Sequence, residues 1–183
     1  MFILKKVYCR IFQKVFRIAL PLLPYREPEI LESIELIPEV VVKNDCKKPI
    51  IVTDKGIINL GLIDSLVEAL KKSEIPFAIY DETVPNPTTD NVAEAYDLYK
   101  KENCDCLIAF GGGSSMDCAK ALGVQIVYPK KTLGQLKGIL KVHKKLPLLI
   151  AIPTTAGTGS ETTLAAIITD SKTRHKYAIN SFP

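Results

Sequence analysis

Residues 106–120 read CLIAFGGGSSMDCAK, an apolar run, three glycines, two serines and then a helix-forming stretch. Few short segments restrict a fold this tightly. An unalternating run bounded by glycine predicts a strand buried on both faces, and strands of that kind belong to parallel sheets covered by helices. Three successive residues without Cβ atoms let backbone N–H groups approach a bound group closely. The helix that follows points its free donors and positive dipole end at the same place, so the segment predicts an anion site. It is neither of the two familiar phosphate loops. Read as G-x-G-x-x-G from Gly111, it has Met116 at the third glycine, and no Gly-Lys-Ser/Thr closes it as a P-loop. Ser114 is the expected N-cap, with Asp117 at N3, and the helix is expected from Ser115 with Ala119, Leu122 and Ile126 toward the sheet.

The same grammar recurs along the chain. KPIIVTD (48–54) predicts a first strand ending at Asp54, and Ile63, Leu66, Val67 and Leu70 follow at helical spacing. PFAIYD (76–81) predicts a second strand. The turn VPNPT leads to a helix with Val92, Ala95, Tyr96 and Tyr99 on one side. PLLIAIP (147–153) is a fourth strand, and LAAIITD and KYAI flank the turn DSKTRH as a β-hairpin appended to the parallel sheet. The expected fold is α/β, a Rossmann-like parallel sheet with helices on both faces and right-handed crossovers. Residues 46–183 form that domain, and residues 1–45 an N-terminal extension.

Composition excludes several classes. The net charge of +4 is mild and the lysines are scattered, which excludes a nucleic-acid stripe. Five cysteines without a C-x-x-C pair imply reduced thiols and a cytoplasmic location. Cys104 and Cys106 are expected on one side of a strand as free buried thiols. Basic residues interleave with apolar ones over residues 5–20, unlike a signal peptide, and no run is long enough to span a bilayer. That segment is expected to pack or to make a subunit contact in a homo-oligomer, rather than to lie on a membrane.

Open parallel sheets bind ligands beyond the carboxyl ends of their strands. Asp54, VPNPT, GGGSS and a second small-residue loop, TTAGTGSETT (154–163), all fall there. GGGSSMDCAK followed by IPTTAGTGSETT, with IVTDKGI and VPNPT in the same order, resembles the iron-containing (group III metal-dependent) alcohol dehydrogenases. The resemblance runs from the first strand onward. It implies NAD as cofactor and a small alcohol or aldehyde as substrate. Asp54 would hold the adenosine ribose, and Gly112, Gly113 and Ser114 the pyrophosphate. Thr154, Thr155 and Thr158 would line the adenine and nicotinamide-side wall. Asn86 and Lys176 are placed near the cofactor by the resemblance alone.

Glu161 is expected to close its loop on backbone donors, while His143 is expected in a solvated loop and His175 on the hairpin, a remote candidate for a site. The family holds iron or zinc with one aspartate and three histidines in an all-helical second half. This chain ends before that half, and it presents no residue as a catalytic group or metal ligand. The resemblance therefore implies a dinucleotide-binding half that is inactive alone. Two other readings stand beside it: a glycerol dehydrogenase or dehydroquinate synthase type of enzyme, and a non-catalytic NAD-binding module.

Overall fold

The structure is a computed structural model that describes residues 2–19 and 28–180. Its first element is the helix α1 (Phe2–Ala19). The main body starts with a 3-10 turn, Ile34–Leu36, that runs into α2 (Ile37–Lys43). Then come β1 (Pro49–Val52), the short α3 (Lys55–Asn59), α4 (Asp64–Lys72), β2 (Ala78–Tyr80) and α5 (Thr89–Lys101). The glycine-rich segment becomes β3 (Cys106–Gly111) and α6 (Gly113–Val127). β4 (Gly138–Ile139), β5 (Leu149–Pro153), β6 (Ala165–Thr169) and β7 (Lys176–Asn180) complete the described chain.

β2, β1, β3 and β5 pair in that order, all parallel, in one sheet. All residues of β1 and β3 are buried, because alternate side chains enter different cores. Ile50, Val52, Leu107 and Ala109 pack with Met116, Ala119 and Leu122 of α6. Ile51, Ile108 and Phe110 pack with Val41, Leu66 and Leu70 on the other face. The expected α/β fold, with helices on both faces, is therefore present. The chain runs from β1 outward to β2 and returns to β3 on the other side of β1. The loops after β1 and β3 consequently diverge, and a crevice opens between them.

The hairpin forms as expected, with β6 antiparallel to β7. It does not extend the parallel sheet. β7 pairs instead with the two-residue β4, giving a separate three-stranded sheet in the order β4-β7-β6. Ala166, Ile168 and Ile179 of this sheet enter the α6 core, so the hairpin covers the outer side of α6.

Two local expectations are corrected. Cys104 lies two residues before β3 and packs in the α6 core, whereas Cys106 lies on the strand in the opposite core. The two-residue alternation that would put both on one face begins only within the strand. The N-cap of α6 is Gly112, in extended conformation, and the helix starts at Gly113. The Ser114 side chain is thereby released from capping.

Candidate functional site

The site is built where β1 and β3 end. Asp54 caps α3, its Oδ1 accepting from the Ile57 N–H at 3.1 Å. Gly111 has φ +145, a region that L residues rarely adopt, and a Cβ there would lie 2.5 Å from Ser115 Oγ and 3.5 Å from Asp54 Oδ2. The glycine therefore lets the first strand's carboxylate and the start of α6 come together. The second loop closes over the first. Thr154 N–H donates to the Gly111 carbonyl at 2.9 Å. A Cβ on Gly112 would sit 3.2 Å from Thr155 Oγ1, and one on Gly113 would sit 3.4 Å from the Thr158 side chain. The result is an open cleft of about 640 Å³. Asp54, Gly112, Gly113, Ser114, Thr154 and Thr155 line it, together with Asp81.

Asn86, Thr158 and Lys176 lie outside the wall of this cleft. Asn86 and Lys176 are nevertheless joined to its edge. Asn86 takes the left-handed conformation (φ 58), which asparagine tolerates, and its N–H donates to Ser114 Oγ at 3.2 Å. Lys176 Nζ donates to Asn86 Oδ1 at 2.6 Å. The hairpin that carries Lys176 is held in place by Thr169 N–H on the Pro87 carbonyl and by the Thr89–Ser171 hydroxyl pair at 3.0 Å. Below, Thr88 and Asn91 cap α5 reciprocally.

Two buried hydroxyls by the cleft have no hydrogen-bond partner among the described residues: Ser115 Oγ, which borders it, and Thr53 Oγ1, beside Thr83. A buried polar group left unpaired costs about 1–3 kcal/mol, so a hydroxylated or anionic guest is favoured here.

Residues 31–183 match the family model described as iron-containing alcohol dehydrogenase. The chain belongs to that family. It is 43% identical over 141 residues to a choline dehydrogenase of Bacillus subtilis, covering 76% of this chain and 35% of the relative. A crystal structure of a 1,3-propanediol oxidoreductase superposes with a TM-score of 0.81 at 32% identity, over 87% of this chain and 43% of that one. A sulfoacetaldehyde reductase from Bifidobacterium kashiwanohense, solved in complex with NAD⁺, gives a TM-score of 0.71 at 28% identity, over 87% and 43%. The chain thus spans about a third of the length of the curated relatives it matches.

An iron-containing alcohol dehydrogenase needs metal ligands, and the described residues do not fit that group near the cleft. Among them, one set of three donors could hold an ion: Cys46, Asp105 and Cys106, within 4.8 Å of one another. Asp105 and Cys106 sit where β3 begins, the far end of the sheet from the cleft, and the set contains no histidine. Asp105 is already engaged, accepting from Lys47 N–H at 2.7 Å and Lys48 N–H at 3.0 Å. Burial pushes the Cys106 thiol up strongly, which opposes the thiolate form. His143 is an exposed loop residue, as expected, and His175 is exposed in the turn before β7, away from the cleft wall.

The sequence reading missed Lys120. Its Nζ reaches across from α6 to the carbonyls of Ser160, Thr163 (3.0 Å) and Ala165 (2.9 Å), so it fastens the second loop to the helix. Burial lowers its pKa, and Asp117 and Glu161 oppose that. Asp117 does not cap the helix as expected. Its Oδ1 accepts from Ser160 Oγ at 2.8 Å, and burial raises its pKa, with the Ser160 bond and Lys120 opposing. The i, i+3 spacing of an acid and a base on a helix otherwise lined with Ala, Leu and Val was the available signal. Glu161 also departs from expectation. Its buried Oε2 has no partner among the described residues, and it lines a second cavity of about 580 Å³ beside β5 together with Lys120.

Proposed function

We propose that the cleft beyond β1 and β3 binds NAD, and that this chain is the cofactor-binding portion of an enzyme interconverting alcohols with aldehydes or ketones. The glycine loop carries the reading. Gly112 and Gly113 leave the N-cap and first position of a 15-residue helix without a Cβ, at the point where the flanking loops diverge. In this reading the backbone N–H groups of Gly112, Gly113 and Ser114 hold the pyrophosphate. Asp54 Oδ2, not used in capping α3, accepts from the adenosine ribose. Thr154 and Thr155 form the wall over the ring systems, and Thr158 packs on Gly113 behind it. Lys176, steadied by Asn86, adds positive charge beside the phosphates. The NAD⁺ complex of the sulfoacetaldehyde reductase, a structural neighbour, supports the choice of cofactor.

Bound NAD would supply the hydride acceptor, and the residues present orient it and exclude water from its phosphates. A divalent metal, iron or zinc, belongs to the complete enzyme of this reading, with ligands other than the described residues. We therefore expect this chain by itself to bind NAD weakly and to oxidise no simple alcohol at a useful rate. It is expected to be cytoplasmic and to form a homo-oligomer, which light scattering would measure. The test of cofactor binding is calorimetric titration of the chain with NAD, repeated with Gly112→Ala. Saturable binding that Gly112→Ala weakens at least ~tenfold, or ~1.4 kcal/mol, is expected. Equal binding by both proteins, or none by the parent, would refute the site.

A further inference from the structure

The family match begins at residue 31, so α1 lies outside the part of the chain that the family explains. Its construction is unlike that of the other helices. α4 hides Leu66 and Leu70, and α5 hides Val92 and Ala95. α1 instead leaves Val7, Tyr8, Ile11, Val15 and Ile18 between 52% and 76% exposed. Those positions fall on one face of an 18-residue helix. Lys6, Arg10, Lys14 and Arg17 line one flank of that face, about 100° round the helix from its centre, and the helix sequence contains no acidic residue.

We propose that α1 is an interfacial helix that docks this chain onto a bilayer surface rich in anionic phospholipid. This departs from the packing or subunit role that the sequence alone favours. A broad apolar face bordered by a basic flank, with no acid, is the pattern of helices that lie in the plane of the headgroups, their long basic side chains reaching the phosphates. Among the described residues no helix is long and apolar enough to cross a membrane, so α1 lies on the surface. A second copy of α1 is a poorer occupant, because pairing would bring together basic rims with no acidic side chain on either helix to offset them. Each basic residue near an anionic surface strengthens binding by about fivefold.

The experiment uses the full chain and two variants, Ile11→Asp/Val15→Asp and Arg10→Gln/Lys14→Gln/Arg17→Gln. Each protein is co-sedimented with phosphatidylcholine vesicles and with vesicles containing roughly a third phosphatidylglycerol. The parent is expected to bind the anionic vesicles at least ~tenfold more tightly than the neutral ones, and less tightly as salt rises. Both variants are expected to lose most of that binding while keeping the parent's circular dichroism and NAD titration. The proposal is overturned if the parent ignores anionic vesicles, binds both kinds equally, or is matched by the Ile11→Asp/Val15→Asp variant. It is also overturned if that variant converts an oligomeric parent to monomer while vesicle binding is absent throughout, an outcome that assigns α1 to a subunit contact.

Discussion

Replacing Asp54 with glycine should relax a preference for NAD over NADP, and the structure allows the size to be worked out. Asp54 Oδ1 is occupied by the Ile57 N–H, while Oδ2 faces Gly111 and the cleft. Lys55, the neighbouring cation, is engaged by Glu82 at 2.7 Å and is not free to neutralise Asp54. A 2′-phosphate placed about 6 Å from that carboxylate, at an effective dielectric of about 40, meets ~1.4 kcal/mol of repulsion per unit charge. With about −1.5 to −2 charges on the phosphate this becomes ~2–3 kcal/mol. A Debye length of about 8 Å at physiological salt roughly halves it, to ~1–1.5 kcal/mol. The expected shift in the NAD/NADP affinity ratio is therefore about five- to tenfold at physiological salt and several times larger at low salt. The fold should tolerate the change, because glycine replaces an aspartate N-cap at a cost of a few tenths of a kcal/mol. Calorimetric titration with both cofactors at two salt concentrations reads the ratio directly. Asp81→Gly, in the same cleft, should shift it by less than about twofold. A larger shift from Asp81→Gly, or an Asp54→Gly shift that ignores salt, would refute the assignment of the ribose partner.

Three further outcomes follow from the geometry. Gly111→Ala should cost about 2–4 kcal/mol of stability in urea unfolding, because its Cβ meets Ser115 Oγ at 2.5 Å on a backbone with φ +145; a loss under about 1 kcal/mol would contradict that packing. Lys120→Met should leave the carbonyls of Ser160, Thr163 and Ala165 without their donor, and hydrogen exchange over residues 158–165 should accelerate at least ~tenfold while the β1 and β3 amides stay protected. Burial raises the thiols of Cys104 to about 11 and Cys118 to about 12, so folding keeps both protonated. Their contribution to stability is complete below the unfolded thiol value of 9.0 and is lost as pH climbs through 11 to 12. The loss is on the order of 1 kcal/mol per pH unit per thiol. Denaturation at pH 8 to 10 should show a shallower decline in a Cys104→Ala/Cys118→Ala variant, and an unchanged slope would show that these thiols do not set it.

Much of this was legible because the decisive signals are local. A buried strand, three glycines and a helix state their own geometry, and the alternation in β1 and β3 follows from a sheet covered on both sides. What escaped required partners far away in sequence. Choosing Gly112 over Ser114 as N-cap depends on a backbone angle imposed where Thr155 and Thr158 pack on the loop. Lys120 reads as one more surface lysine until the loop at 160–165 folds across it. β4 has two residues and no periodicity to announce it, yet it decides that the hairpin builds a sheet of its own. Lys176 meets Asn86 from 90 residues away, and spacing alone holds no trace of that meeting.

The hairpin's position has a consequence for the order in which the molecule assembles during synthesis. The parallel sheet is complete once Pro153 has emerged, and α6 can then pack its inner side against β1 and β3. The outer cover, Ala166 and Ile168, arrives only with β6, and the ties through Thr169 and Ser171 close later still. A ribosome adds about 5–20 residues each second, so for a second or more the nascent chain carries a finished sheet beneath an uncovered helix. The glycine loop is formed in that interval, but the hairpin that steadies its edge through Lys176 and Asn86 is not. Nascent-chain chaperones would meet the protein in this state, and slower translation while residues 153–180 leave the ribosome would lengthen its exposure without altering one residue of the product.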